Sequence, residues 1–128
     1  MKNFLLSIAL IFFLATHINA HVDHYSKYNY LEYELFRNNK SIGFHKYIFK
    51  RNNKNLEISN EVSFTITKLG VKLYSYYAKG VESYKNGVFS GFTSKTNQNK
   101  KDKYVNISID PKDKNLIIDG SSFKGKAN

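Results

Sequence analysis

Leu56-Glu57-Ile58-Ser59-Asn60-Glu61-Val62-Ser63-Phe64-Thr65-Ile66-Thr67 carries apolar side chains at its even positions and polar ones at its odd positions. A period of two belongs to an extended backbone, whose successive side chains point to opposite faces. Asn60 alone breaks the apolar row, which points to a bulge or to an amide facing a cavity. The segment reads as a strand with one face on apolar packing and the other in water.

The same alternation extends in both directions. Downstream, Lys68-Leu69-Gly70 turns the chain into a long strand over residues 71–84. There Val71, Leu73, Tyr77 and Val81 share one face, and Tyr74, Tyr76, Ala78 and Tyr84 the other. With bulk on both faces, this strand is expected to be covered twice or to line an apolar pocket near Leu73, Tyr77 and Val81. Asn86-Gly87 between strand formers predicts a two-residue type I′ hairpin, because both central residues need positive φ. A return strand follows over 88–96, then a polar loop over 97–102. Val105, Ile107 and Ile109 mark a strand over 103–110, Pro111-Lys112-Asp113-Lys114 ends it, and another strand runs over 115–119. Asp119-Gly120 turns, and residues 121–128 trail off in small and basic residues.

Upstream, the turn Asn52-Asn53-Lys54-Asn55 precedes the opening stretch. Before it, Ile42, Phe44 and Ile48 share one face of a strand while His45, Tyr47 and Phe49 share the other. Arg37-Asn38-Asn39-Lys40 joins that strand to a first one over 28–36, with Leu31, Tyr33 and Leu35 opposite Glu32, Glu34 and Phe36. No stretch of ten residues beyond the N-terminus shows a 3.6-residue apolar stripe. The predicted fold is all-β: an antiparallel meander of about 7–8 strands, curled into a sheet or half-barrel.

The first twenty residues have a different character. Met1-Lys2-Asn3 is basic, residues 4–15 are apolar apart from Ser7, and Thr16-His17-Ile18-Asn19-Ala20 closes on a small residue. That order is a secretory signal helix, too short to span a bilayer core that needs roughly 20 residues. Residues 1–20 are expected to be cleaved after Ala20, leaving residues 21–128 as one periplasmic or secreted domain without a transmembrane segment. The chain has no cysteine, so neither a disulfide nor a lipidated cysteine holds it. Folding must rest on core burial; the whole chain has ten Tyr, ten Phe and no Trp, with Phe4, Phe12 and Phe13 in the leading segment and the other aromatics left to supply the domain.

The formal charge is +10, from 20 basic and 10 acidic residues. All the basic residues but Arg37 and Arg51 are lysine, and bidentate phosphate recognition favours arginine. The abundance of Lys, Asn and Ile follows A/T-rich codon usage, so the charge alone does not argue for a polyanion partner. Export argues against nucleic acid.

The run Tyr74-Ser75-Tyr76-Tyr77-Ala78-Lys79-Gly80-Val81-Glu82-Ser83-Tyr84-Lys85-Asn86-Gly87, with Phe92-Thr93-Ser94-Lys95-Thr96 and the Ile42-Gly43 hairpin, resembles a family of exported bacterial proteins, domain of unknown function 6134. A glutamate, an aromatic two residues later and an Asn-Gly hairpin form the shared pattern, and the likeness covers residues 30–124. Family members continue into further strands with a Thr-Tyr-Trp-like motif. The resemblance therefore implies that this chain is the N-terminal part of the family domain, a fragment truncated before its last strands. It carries over no catalytic or binding residue.

Candidate sites follow from residue chemistry. After cleavage, His21-Val22-Asp23-His24 would offer an α-amine, two imidazoles and a carboxylate, a ligand set for copper or zinc, with His45 the body histidine able to join His21 and His24. The competing reading is a flexible polar leader, and for His45 a packed imidazole. The tyrosines Tyr74, Tyr76, Tyr77 and Tyr84 with Glu82 form the best binding-surface candidate, since rings with polar tips suit a sugar, an amphiphile or a protein contact. Cross-strand packing is the plainer reading of the rings, and pairing with a cross-strand lysine that of Glu82. Glu57 with Glu61, and Glu32 with Glu34, read as solvated sheet surface rather than catalytic carboxylate pairs. No nucleophile elbow, phosphate loop or metal-spaced helix is present, so no enzyme activity and no cofactor are expected. The preferred expectation is a non-enzymatic exported β-protein whose partner is a hydrophobic or amphiphilic small molecule or an envelope component. A metal protein using a mature N-terminal His is the alternative, and a fragment without function of its own is another.

Overall fold

The computed structural model describes residues 26–127. Eight strands follow one another: β1 (Tyr30–Arg37), β2 (Lys40–Asn52), β3 (Asn55–Lys68), β4 (Val71–Lys85), β5 (Val88–Gln98), β6 (Lys101–Ile109), β7 (Leu116–Gly120) and β8 (Lys124–Ala127). They form one antiparallel sheet in the order β1-β2-β3-β4-β5-β6-β7-β8, so every strand pairs with its neighbours in the chain. The sheet does not close into a barrel. Among the described residues, no helix is long and apolar enough to cross a membrane. The signal helix expected over residues 1–20 lies outside the described residues, as do His21 and His24.

Turn chemistry sets the register. Asn38 and Asn39, Leu69 and Gly70, Asn86 and Gly87, and Asn99 and Lys100 are pairs with positive φ, each joining two strands through two residues. Such pairs match the right-handed twist of the strands they connect. The polar loop expected over 97–102 is thus only the Asn99-Lys100 turn, and β5 and β6 pair out to Gln98 and Lys101. The Asn99 side chain accepts from the Ser75 N–H at 2.8 Å, anchoring this turn to β4. The tail expected to trail off instead returns as β8, with Leu116 opposite Ala127 and Asp119 opposite Lys124. Small and basic residues pair here because Lys124 and Lys126 find carboxylates on the preceding elements.

Asn60 sits in unbroken register between Tyr47 and Gly80, so no bulge occurs there. Gly80 makes room for it: a Cβ at that position would lie 3.2 Å from either Asn60 amide atom and 3.1 Å from Phe92 Cε2. Register shifts fall instead between Leu35 and Phe36, Ile66 and Thr67, and Ser83 and Tyr84, each near a hairpin end. Bulges in these places add twist and curl to the sheet.

The register gives the two faces different chemistry. One carries Leu31 and Tyr33, His45, Tyr47 and Phe49, the even side chains of β3, Tyr74, Tyr76, Ala78 and Glu82, then Phe92, Ile107 and Ile118. The other carries Glu32, Lys46, Glu61, Lys79 and Lys95. Among the described residues no second layer covers the apolar face, and Phe49 at 6% and Ala78 at 8% exposure are its buried hydrophobic residues. Most of the rest of that face is half-buried, while Tyr33 on β1 is exposed.

Candidate functional site

The groove is built from the first four strands. Leu31 faces Tyr47 and Tyr33 faces His45 across β1 and β2. Phe49 faces Ile58, and Ile58 faces Glu82. Leu31, Tyr33, His45, Tyr47, Phe49, Ile58 and Glu82 together line a groove of about 400 Å³ on the apolar face. That lies within the usual range of small-molecule sites, roughly 300–1,000 Å³.

Aromatic packing holds its wall. His45 and Tyr47 have ring centroids 4.3 Å apart, Tyr33 meets Tyr47 edge-on at 6.4 Å, and Phe49 stacks against Tyr47 at 6.3 Å. The Arg51 guanidinium lies over Phe49, 5.2 Å from its centroid, and donates to the Tyr28 carbonyl at 2.8 Å and to Asn29 Oδ1 at 3.2 Å. These bonds, with the Phe49 N–H donating to Asn29 at 2.9 Å, clamp the residues before β1 against the end of β2.

The polar groups of the groove are few. Burial pushes the His45 imidazole below its ordinary value, which favours its neutral form. Glu82 accepts a hydrogen bond from the Tyr84 hydroxyl. Burial, that bond and the Glu82 charge push the Tyr84 phenol up to about 12. The expected cross-strand lysine is absent, because Glu82 faces Ile58 on one side and Phe92 on the other. Tyr84, two residues along the same strand face, supplies the partner instead.

The tyrosines chosen from the sequence divide between the faces. Tyr74 and Tyr76 stack on Phe64 at 5.8 and 5.3 Å, further along the apolar face than the groove. Tyr77 lies on the polar face opposite Ser63, where partial burial and the Glu61 carboxylate raise its phenol. The apolar pocket expected near Leu73, Tyr77 and Val81 is not the groove found. Leu73 is 56% exposed and Tyr77 41%, and that side of β4 meets the polar residues of β3. Leu31, Tyr33, Tyr47, Phe49 and Ile58, which complete the groove, were not singled out as site residues. Their signal was the second apolar row of β2, which only the register turns inward.

Among the described residues, no group of three or more His, Cys, Asp or Glu side chains is placed to hold a metal ion. His45 stands in the groove with rings around it, and its proposed partners His21 and His24 lie outside the described residues.

An open antiparallel meander with one apolar, grooved face is the class these features define. A sequence profile for domain of unknown function 6134 matches residues 33–128, and the chain belongs to that family. No curated protein and no solved structure matches the chain.

Proposed function

We propose that the protein is exported through its N-terminal signal and holds the hydrocarbon part of an amphiphile in the groove between β1 and β4. The carrying observation is an apolar sheet face that no other described residues cover with a second layer, indented by about 400 Å³ where Tyr33, Tyr47, Phe49 and Ile58 meet. Rings and branched aliphatics lower the free energy of a buried chain by about 0.8 kcal/mol per CH₂. Beside the Tyr33 and Tyr47 hydroxyls, the polar lining is the Glu82 carboxylate and His45 held towards its neutral form, with no lysine or arginine. A head group that donates hydrogen bonds or carries positive charge therefore suits the groove, and a carboxylate head would face Glu82.

Competition against a fluorescent naphthylamine probe tests this directly. Octyl and decyl glycosides and alkylammonium salts should displace the probe, the decyl homologues about fifteenfold better for two more buried CH₂ groups. Decanoate should compete less well than either. Leu31→Asp, a change on the edge strand at the groove lip, should abolish displacement while circular dichroism stays that of a folded sheet. Equal competition by all three head groups, or probe binding unaffected by Leu31→Asp, would rule the site out.

A further inference from the structure

The opposite face breaks its own charge pattern at one place. Along one row of the sheet the residues directly opposite each other are Glu32, Lys46, Glu61, Lys79, Lys95 and Tyr104. The sign alternates across the first four strands, and Lys46 meets Glu61 at 3.0 Å. Where a fifth residue of negative sign would continue the row, Lys95 stands against Lys79. Like charges directly across a sheet destabilise it.

Nearby carboxylates are engaged elsewhere. Glu61 is held by Lys46. Asp102 accepts from the Asn97 amide at 2.5 Å. Asp119 pairs with Lys124 at 2.9 Å and accepts from the Tyr104 hydroxyl at 3.2 Å. Among the described residues, neither Lys79 nor Lys95 forms an ion pair.

Two recesses flank the Lys95–Tyr104 pair. One, of about 290 Å³, is lined by Lys79, Thr93, Lys95, Tyr104 and Asn106 among others. The second, of about 510 Å³, adds Tyr77, Asn97, Lys103 and one carboxylate, Asp102, to Lys95 and Tyr104. Tyr104 is fixed by its bond to Asp119, and the Lys124 ammonium lies over its ring, 6.0 Å from the centroid, so the ring is set in place, with a cation beside it, before any ligand arrives.

We propose that this row is a second binding site, distinct from the apolar groove, which takes an acidic saccharide chain across Lys79 and Lys95. The lysines supply point charges for carboxylate or sulfate groups, the Tyr77 and Tyr104 rings offer apolar surface to sugar rings, and Asn106 and Thr93 offer partners for hydroxyls. An anionic bilayer is the poorer fit, since the two exposed lysines share their recesses with Tyr77, Tyr104, Thr93 and Asn106, side chains that suit sugar rings and hydroxyls. The unfavourable lysine pair is then a stability cost retained for binding.

Calorimetric titration of the secreted protein with an oligogalacturonate, a neutral malto-oligosaccharide of equal length and phosphatidylglycerol vesicles separates these readings. The oligogalacturonate should bind, and several-fold more weakly on raising salt from about 50 to 200 mM. The neutral oligomer and the vesicles should bind at least tenfold more weakly. Lys95→Glu restores the alternation, so it should raise Tm by about 2–4 °C and cut oligogalacturonate affinity at least tenfold. Lys95→Gln should give intermediate values of both. A fall in Tm for both variants, unchanged oligogalacturonate affinity in Lys95→Glu, or stronger binding to the vesicles than to the saccharide would overturn the proposal.

Discussion

Leu69 occupies the first position of the turn between β3 and β4 with φ near +50°, at 95% exposure. A branched side chain in the left-handed region costs about 1–2 kcal/mol, and Leu69 offsets little of it by contact. Equivalent positions in other turns are filled by Asn38, Asn86 and Asn99, whose short polar side chains tolerate this backbone. Leu69→Asn is expected to stabilise the protein by about 0.5–1 kcal/mol, seen as a higher urea midpoint at unchanged slope. A lower midpoint would show that Leu69 has a contact role the turn geometry does not reveal. The residue scale is also where the sequence said most about local form. Asn86-Gly87 announced its turn because two positive φ values admit few residue types. The partner of Glu82 was not legible, because it depends on which residues face it from β3 and β5.

At the level of elements, the alternation in β3 and β4 located both strands and sorted their side chains correctly. β2 was ambiguous, since Ile42, Phe44 and Ile48 are as apolar as the His45, Tyr47 and Phe49 row that faces the groove. Periodicity gives two faces without naming the inner one, and the choice is made by pairing with Leu31, Tyr33 and Ile58. β8 was invisible because Lys124-Gly125-Lys126-Ala127 has no apolar row; it is held by charge. Lys126 bonds to Asp110 and lies 3.2 Å from Asp113, and Lys124 pairs with Asp119.

These bonds give the corner an acid sensitivity of definite sign. The Lys126 ammonium, then the Lys112 N–H at 2.9 Å, hold the Asp110 carboxyl below its ordinary value. The Asn115 N–H and Lys126 do the same for Asp113, and Lys124 for Asp119. A carboxylate with a depressed folded value stabilises above its unfolded value and ceases to as pH falls through the folded one. The corner should therefore hold above about pH 4 and loosen below it. Amide resonances of β7 and β8 should shift between about pH 4 and 2 before those of β3 and β4; simultaneous loss would show that β8 is not separately anchored.

For the whole molecule, the meander order makes stability local. Substantial packing runs between strands consecutive in the chain, and it is densest between β3 and β4. Such an arrangement behaves like a repeat array, where each unit is held by its neighbours. Hydrogen exchange is expected to give graded protection, greatest in β3 and β4 and falling towards β1 and β8. Uniform protection across all eight strands would mean that the sheet opens as one cooperative unit. All-β class and chain-order pairing were legible in the sequence, since they need only alternation and short turns. The groove was not, because it depends on which row of β2 the pairing sets beside Leu31, Tyr33, Ile58 and Glu82.

Because neighbours in space are neighbours in sequence, the sheet has no threading to undo. A hairpin added at an edge would leave the interior pairings as they are. Evolution can therefore widen such a ribbon by inserting coding sequence near a terminus, without redesigning what lies between.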